Sequence, residues 1–250
     1  MRLVAFLLAL LGFAVPAVAQ QPPQLVVELA QPQIEIDLGF QGSELLVFGL
    51  TGEPGADAIV MMRGASGPET LRRKERIAGV WTTGQTRTFL TVPDFYALAA
   101  SKPLSELFPD ETALGRYELG PENLNFAPLD MVPDDPDTDA FSKALIEDKV
   151  SHGLYSHDVG PIKFLSAQLF RTTLFIPSNV PIGNYSIRLL TVKNGRVVAQ
   201  KETTLIVNKV GLEEGIYRFA HNEGPLYGLF AVMLALASGW LITLLFRRTP

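Results

Sequence analysis

The chain has no cysteine and only three histidines among its 250 residues. The first absence removes disulfide staples, thiolate nucleophiles and zinc–thiolate clusters, so in an oxidising compartment the fold must hold by its core alone. Charge is scarce too, at 19% against 47% hydrophobic residues. That balance is too apolar for a disordered chain and supports one large domain or two small ones. Recurrent catalytic signatures are also missing: no Gly-x-Ser-x-Gly elbow, no phosphate-cradling glycine loop, no His-Glu-x-x-His. Carboxylates distant in sequence can still pair, so 26 acidic residues leave a hydrolase open.

What is abundant is apolar sequence at the two ends. Leu226 to Phe246 runs without a charge, and such a helix is about 32 Å long, enough for a hydrocarbon core of about 30 Å. Arg247 and Arg248 follow at once. Basic residues stay on the cytoplasmic side, which predicts a cytoplasmic C-terminus and an external position for everything before the span. At the other end, Met1-Arg2, the short apolar run Leu3 to Val15 and the small-residue site Ala17-Val18-Ala19 predict a cleaved signal peptide. The expected order is therefore a signal peptide (1–19), a β-rich periplasmic domain (20–210) with a helix and loop insertion (93–158), a juxtamembrane segment (211–224), a transmembrane helix (225–246) and a short tail (247–250). Removing Arg2, Arg247 and Arg248 from the formal charge of −5 leaves −8 on the external part. A surface so charged does not, as a whole, attract nucleic acid or anionic lipid.

Within the external part, Gln33 to Phe40 alternates apolar residues with Glu35 and Asp37, which predicts a half-buried strand with Ile34, Ile36, Leu38 and Phe40 on one face. Further strands are expected at Leu25–Leu29, Glu44–Leu50, Ala58–Arg63, Arg76–Trp81 and Thr86–Val92, then at Phe164–Ile176, Asn184–Val192 and Val197–Val207. They lie too close together for crossover helices, so the sheets should be antiparallel. Asn194-Gly195 tolerates positive φ and predicts a hairpin turn. Tyr185, behind Pro181-Ile182-Gly183-Asn184, has the placement of the tyrosine corner of immunoglobulin-like sandwiches, or of an ordinary core tyrosine after a turn. Between the strand groups, Pro93-Asp94 with Phe95, Leu98 and Ala99 reads as a short helix. Asp139 to Val150 reads as a second, with Phe141, Ala144 and Leu145 inward. The expected fold is mainly β: an antiparallel immunoglobulin-like sandwich with a helical insertion, plus one C-terminal transmembrane helix.

Candidate chemistry is sparse. Asp134-Asp135-Pro136-Asp137-Thr138-Asp139 alternates oxygen ligands as a calcium loop does, but lacks glycine at its sixth position and glutamate at its twelfth, where Ile146 stands. A solvated acidic loop capping the next helix accounts for it. His152 and His157, near Asp148 and Asp158, are spaced onto different helix faces, and further metal ligands are missing. No cofactor is expected. Arg72, Arg73 and Arg76 form the one dense basic run with Lys74, and are candidates for docking an acidic partner or a small anion. The bland alternative is a solvated edge strand. In the membrane segment, Gly228, Ala231, Ala235 and Gly239 place small residues on one helix face, where another helix can approach closely.

Several blocks in fixed order carry a resemblance: Ile34-Glu35-Ile36-Asp37-Leu38-Gly39-Phe40-Gln41-Gly42-Ser43-Glu44-Leu45, Arg72-Arg73-Lys74-Glu75-Arg76-Ile77-Ala78-Gly79-Val80-Trp81, Val92-Pro93-Asp94-Phe95-Tyr96-Ala97, Pro181 to Tyr185, Leu226-Tyr227-Gly228, Gly239-Trp240 and Phe246-Arg247-Arg248. Over nearly the whole mature chain the sequence resembles a family of transmembrane proteins from alphaproteobacteria. The resemblance implies a single-pass inner-membrane protein of a Gram-negative cell, with no activity to carry over, and neighbouring permeases of the sulfite-exporter type. The expected function is a non-catalytic, membrane-anchored accessory protein that supports another membrane or envelope protein; a periplasmic hydrolase or metal-dependent enzyme sited in 93–158, and a small-anion binder, are the alternatives.

Overall fold

The computed structural model describes residues 24–77, 79–129, 136–210 and 219–246. The signal peptide, residues 130–135 of the acidic loop, most of the juxtamembrane segment and the Arg247-Arg248 tail lie outside them.

Among the described residues there are twelve strands: β1 (Val26–Leu29), β2 (Gln33–Ile36), β3 (Ser43–Leu50), β4 (Asp57–Arg63), β5 (Ser66–Ile77), β6 (Val80–Pro93), β7 (Tyr96–Ala100), β8 (Gly160–Pro161), β9 (Lys163–Phe164), β10 (Leu169–Ile176), β11 (Gly183–Lys193) and β12 (Arg196–Lys209). They form a four-stranded sheet in the order β1-β3-β10-β9, a six-stranded sheet in the order β2-β12-β11-β4-β7-β8, and a separate two-stranded ribbon, β5-β6. The pairings are antiparallel except at the two edges of the larger sheet, where β2 joins β12 and β8 joins β7 in parallel. The fold is thus mainly β, as expected.

The two sheets share one core. Val27, Leu45, Val47, Phe170 and Leu174 from the first meet Val60, Met62, Ile187, Leu189, Leu205 and Val207 from the second. Fully burying each such side chain stabilises the fold by about 1.5–3 kcal/mol. Strand β4 explains the third layer. Its run Ala58-Ile59-Val60-Met61-Met62 is buried on both faces, as a strand covered on two sides must be. Alternation sends Ala58, Val60 and Met62 to the intersheet core and turns Ile59 and Met61 the other way. There they meet Tyr96, Leu98, Leu190 and Val192 and a cover formed by α1 (Leu104–Leu107), α2 (Thr112–Tyr117), a 3-10 turn (Pro121–Asn123) and α3 (Pro136–Ser151).

Five expectations need correction. The strand at Gln33 stops at Ile36: the Asp37 carboxylate accepts the Gly39 N–H at 2.9 Å, and this turn leaves Leu38 91% exposed. Arg76–Trp81 is no strand of its own; it bends at Gly79, φ 86°, and forms the tip joining β5 to β6. The helix expected from Pro93 is strand β7, because pairing with β4 from Arg63↔Tyr96 to Ile59↔Ala100 buries both faces and overrides the helix propensity of an alanine-rich run. In α3, Phe141 and Leu145 point inward as expected, whereas Ala144 is exposed and Lys149 is buried. Phe164–Ile176 is also divided, β9 turning into β10 through Leu165–Gln168. The Asn194-Gly195 turn forms as expected, with φ values of 52° and 74°. Tyr185 donates its hydroxyl hydrogen to the Pro181 carbonyl four residues upstream.

Candidate functional site

Beyond Arg63 and Tyr96 the β4–β7 ladder continues through Gly64 N–H to the Phe95 carbonyl (2.9 Å) and Asp94 N–H to the Ala65 carbonyl (2.8 Å). It enters the β5–β6 ribbon at Ser66↔Pro93 and runs to Ile77↔Val80. Two register shifts, each adding a residue to β6, increase the local twist. Cross-strand partners share a face, so the register sorts the side chains. One face carries Thr70/Thr88, Arg72/Thr86, Lys74/Thr83 and Arg76/Trp81, with the Thr70 and Thr88 hydroxyls 2.9 Å apart. The opposite face carries Glu69, Leu71, Arg73 and Glu75.

The second face docks on α3. Both terminal nitrogens of Arg73 donate to Asp137 Oδ1 at 3.2 Å, one also reaches Gln85 at 3.1 Å, and the guanidinium lies 4.9 Å from the centroid of the Phe141 ring. Nearer the root, Lys149 pairs with Glu69 at 2.8 Å. The three arginines singled out by the sequence therefore divide. Arg73 is an internal clamp, while Arg72 and Arg76 lie on the outer face with Lys74. The Arg76 guanidinium sits 6.0 Å from the Trp81 ring centroid and donates to the Gly79 carbonyl at 3.3 Å. Sequence reading missed Trp81 as a member of this patch. The signal was a basic run followed at once by Ile-x-Gly-Val-Trp, with glycine marking the turn.

Among the described residues, two of the open cavities that border the helical cover are the following. One, of about 540 Å³, lies between α2 and the β11–β12 turn and is lined by Phe108, Arg116, Tyr117 and Arg196. The other, of about 380 Å³, is bordered by Phe95, Leu98, Tyr155, His157 and Phe175. His152 faces the Asp148 carbonyl at 2.8 Å and His157 faces Asp158 at 3.1 Å, so each histidine is turned to its own neighbour. Among the described residues, no three metal-ligating side chains converge. Burial pushes the hydroxyls of Tyr96, Tyr155 and Tyr185 above the ordinary tyrosine range, and they serve as neutral structural groups.

Helix α4 (Gly224–Phe246) is long and apolar enough to cross a membrane, and none of its Gly224–Thr243 stretch is buried against the protein. Gly228, Ala231, Ala235 and Gly239 are all exposed along it. A methyl group added at Gly228 or Gly239 would meet nothing within 4 Å. The hydroxyls of Ser238 and Thr243 are satisfied inside the helix, Ser238 donating to the Ala235 carbonyl at 3.0 Å and Thr243 to that of Gly239 at 2.9 Å.

A family model described as "Putative transmembrane protein" matches residues 24–248. No curated protein matches the chain. Among solved structures, one described as "Structural basis of T cell specificity and activation by the bacterial superantigen toxic shock syndrome toxin-1" aligns at 9% identity and a TM-score of 0.28, over 75% of this chain and 100% of that one. The sporulation control protein Spo0M from Bacillus subtilis aligns at 9% identity and a TM-score of 0.25, over 80% of this chain and 54% of that one.

Proposed function

The chain belongs to that transmembrane family, and we propose that it is a non-catalytic interaction protein of the bacterial inner membrane, its β body in the periplasm and its C-terminus in the cytoplasm. In this reading α4 is both anchor and contact surface. The protein supports another membrane or envelope protein, and a permease of the sulfite-exporter type is the first candidate.

The observation that carries the reading is the exposure of α4 from Gly224 to Thr243, on a chain whose body has its own closed cores. A lone span encloses no solute path, so its surface serves lipid or another helix. The small residues on one side favour a helix, since they let backbones approach within packing distance.

Co-purification from native membranes in mild detergent tests this. The expected result is a second membrane protein recovered in constant ratio, and reduced several-fold when Gly228→Leu and Gly239→Leu fill the close-packing face. Recovery of the chain alone across several mild detergents overturns the reading.

A further inference from the structure

We infer that the outer face and tip of the β5–β6 ribbon rest on an anionic phospholipid surface, that of the bilayer crossed by α4. Three observations converge on this. The first is charge: the outer face pairs Arg72, Lys74 and Arg76 with threonines and Trp81, and none of these ribbon residues is a carboxylate. On an external domain of net charge −8, this is a segregated cationic strip. Its alternate side chains lie about 7 Å apart, a spacing suited to an array of phosphates rather than to one small anion.

The second is the tip. Ile77, Val80 and Trp81 are 61%, 65% and 66% exposed, and an uncovered tryptophan beside cations is the combination favoured at the membrane–water boundary.

The third is placement. Ser186 on β11 lies opposite Thr204 on β12 and opposite Arg63 on β4. Strand β12 then continues to Lys209, on the way to the membrane helix, and β4 continues into the ribbon. Both leave the larger sheet at the same end. The sequence tethers this end to the bilayer, so the ribbon meets lipid at high effective concentration. Each cation close to an anionic surface strengthens binding roughly fivefold, less as salt screens it.

Trp81 and Trp240 are the two tryptophans of the chain, so the full-length protein with Trp240→Phe reports on the tip alone. It is reconstituted in vesicles of phosphatidylcholine, or of phosphatidylcholine mixed with phosphatidylglycerol. In the mixed vesicles we expect Trp81 emission to shift to the blue, its quenching by acrylamide to fall several-fold, and spin-labelled lipid headgroups to quench it. High salt should reverse these changes without any variant, and Arg72→Gln with Lys74→Gln should weaken them. Equal acrylamide access in both lipids overturns the inference. So does a tip that is wet in both vesicles but crosslinked to an acidic protein in native membranes, an outcome that leaves the accessory reading standing. Loss of the chain from the vesicles on alkaline extraction would instead overturn the anchoring on which both proposals rest.

Discussion

The Tyr96 hydroxyl donates to the Glu118 carbonyl at 2.7 Å and accepts the N–H of Gly120 at 2.9 Å. Glu118 itself stands in left-handed conformation, φ 54°, and its carboxylate pairs with Arg63. One buried side chain on β7 thus fixes the chain reversal after α2 onto the larger sheet. Replacing Tyr96 by Phe keeps the ring packed on Tyr155 but leaves a buried carbonyl and N–H without their partner. We expect a loss of about 1–3 kcal/mol, the desolvation penalty of such groups. It would be read as a lower urea midpoint of the full chain in detergent, with faster hydrogen exchange in residues 112–124. An unchanged midpoint would assign the fold of this cover to packing alone.

Gly49 on β3 sits against Phe170 on β10. A methyl at position 49 would stand 2.4 Å from Phe170 Cζ and 3.0 Å from the Val26 carbonyl oxygen, while Phe170 is wholly buried. Gly49→Ala should therefore cost about 1–3 kcal/mol through overpacking. Adding Phe170→Leu, which removes the clashing ring edge, should restore part of the loss even though it is destabilising alone. Simple additivity of the two changes in a double-mutant cycle would show that the contact is not the cause.

Much of this architecture was legible because it is written in short-range patterns. Ala58–Arg63 advertises a strand, and Asn194-Gly195 a tight turn. The failures at Leu38 and Arg76–Trp81 come from local turns, at Asp37-Gly39 and at Gly79; those at Phe95–Ala100 and in the basic run come from partners distant in sequence. Phe95–Ala100 has helix-forming residues, but β4 offers it a complete hydrogen-bonding edge, and burial of both faces outweighs propensity. Arg73 and Arg76 look alike in the sequence. Only the alternation of β5, and the arrival of Phe141 and Asp137 from α3, send one inward and the other out. Trp81 became legible as a member of the basic outer face once the ribbon's register paired it with Arg76.

Asp94, at the junction between ribbon and body, gives a pH signature. Burial raises its carboxyl above the ordinary value of 3.8; Lys149 nearby draws it back down, and Glu69 pushes it up. A carboxyl raised in the folded state holds its proton more tightly there than in the unfolded chain. Its favourable contribution is complete below pH 3.8 and disappears as pH rises through the raised value; at neutral pH the ionised group weighs against folding. Asp94→Asn should accordingly stabilise the protein at neutral pH, with the gain shrinking to nothing in acid. Lys149→Met removes the opposing cation, so in that background the benefit of Asp94→Asn at neutral pH should be larger. Urea midpoints of the four proteins across the acid-to-neutral range decide it. A gain from Asp94→Asn that is the same in acid as at neutral pH would mean that the side chain acts through shape rather than charge, and Lys149 would then have no part in it.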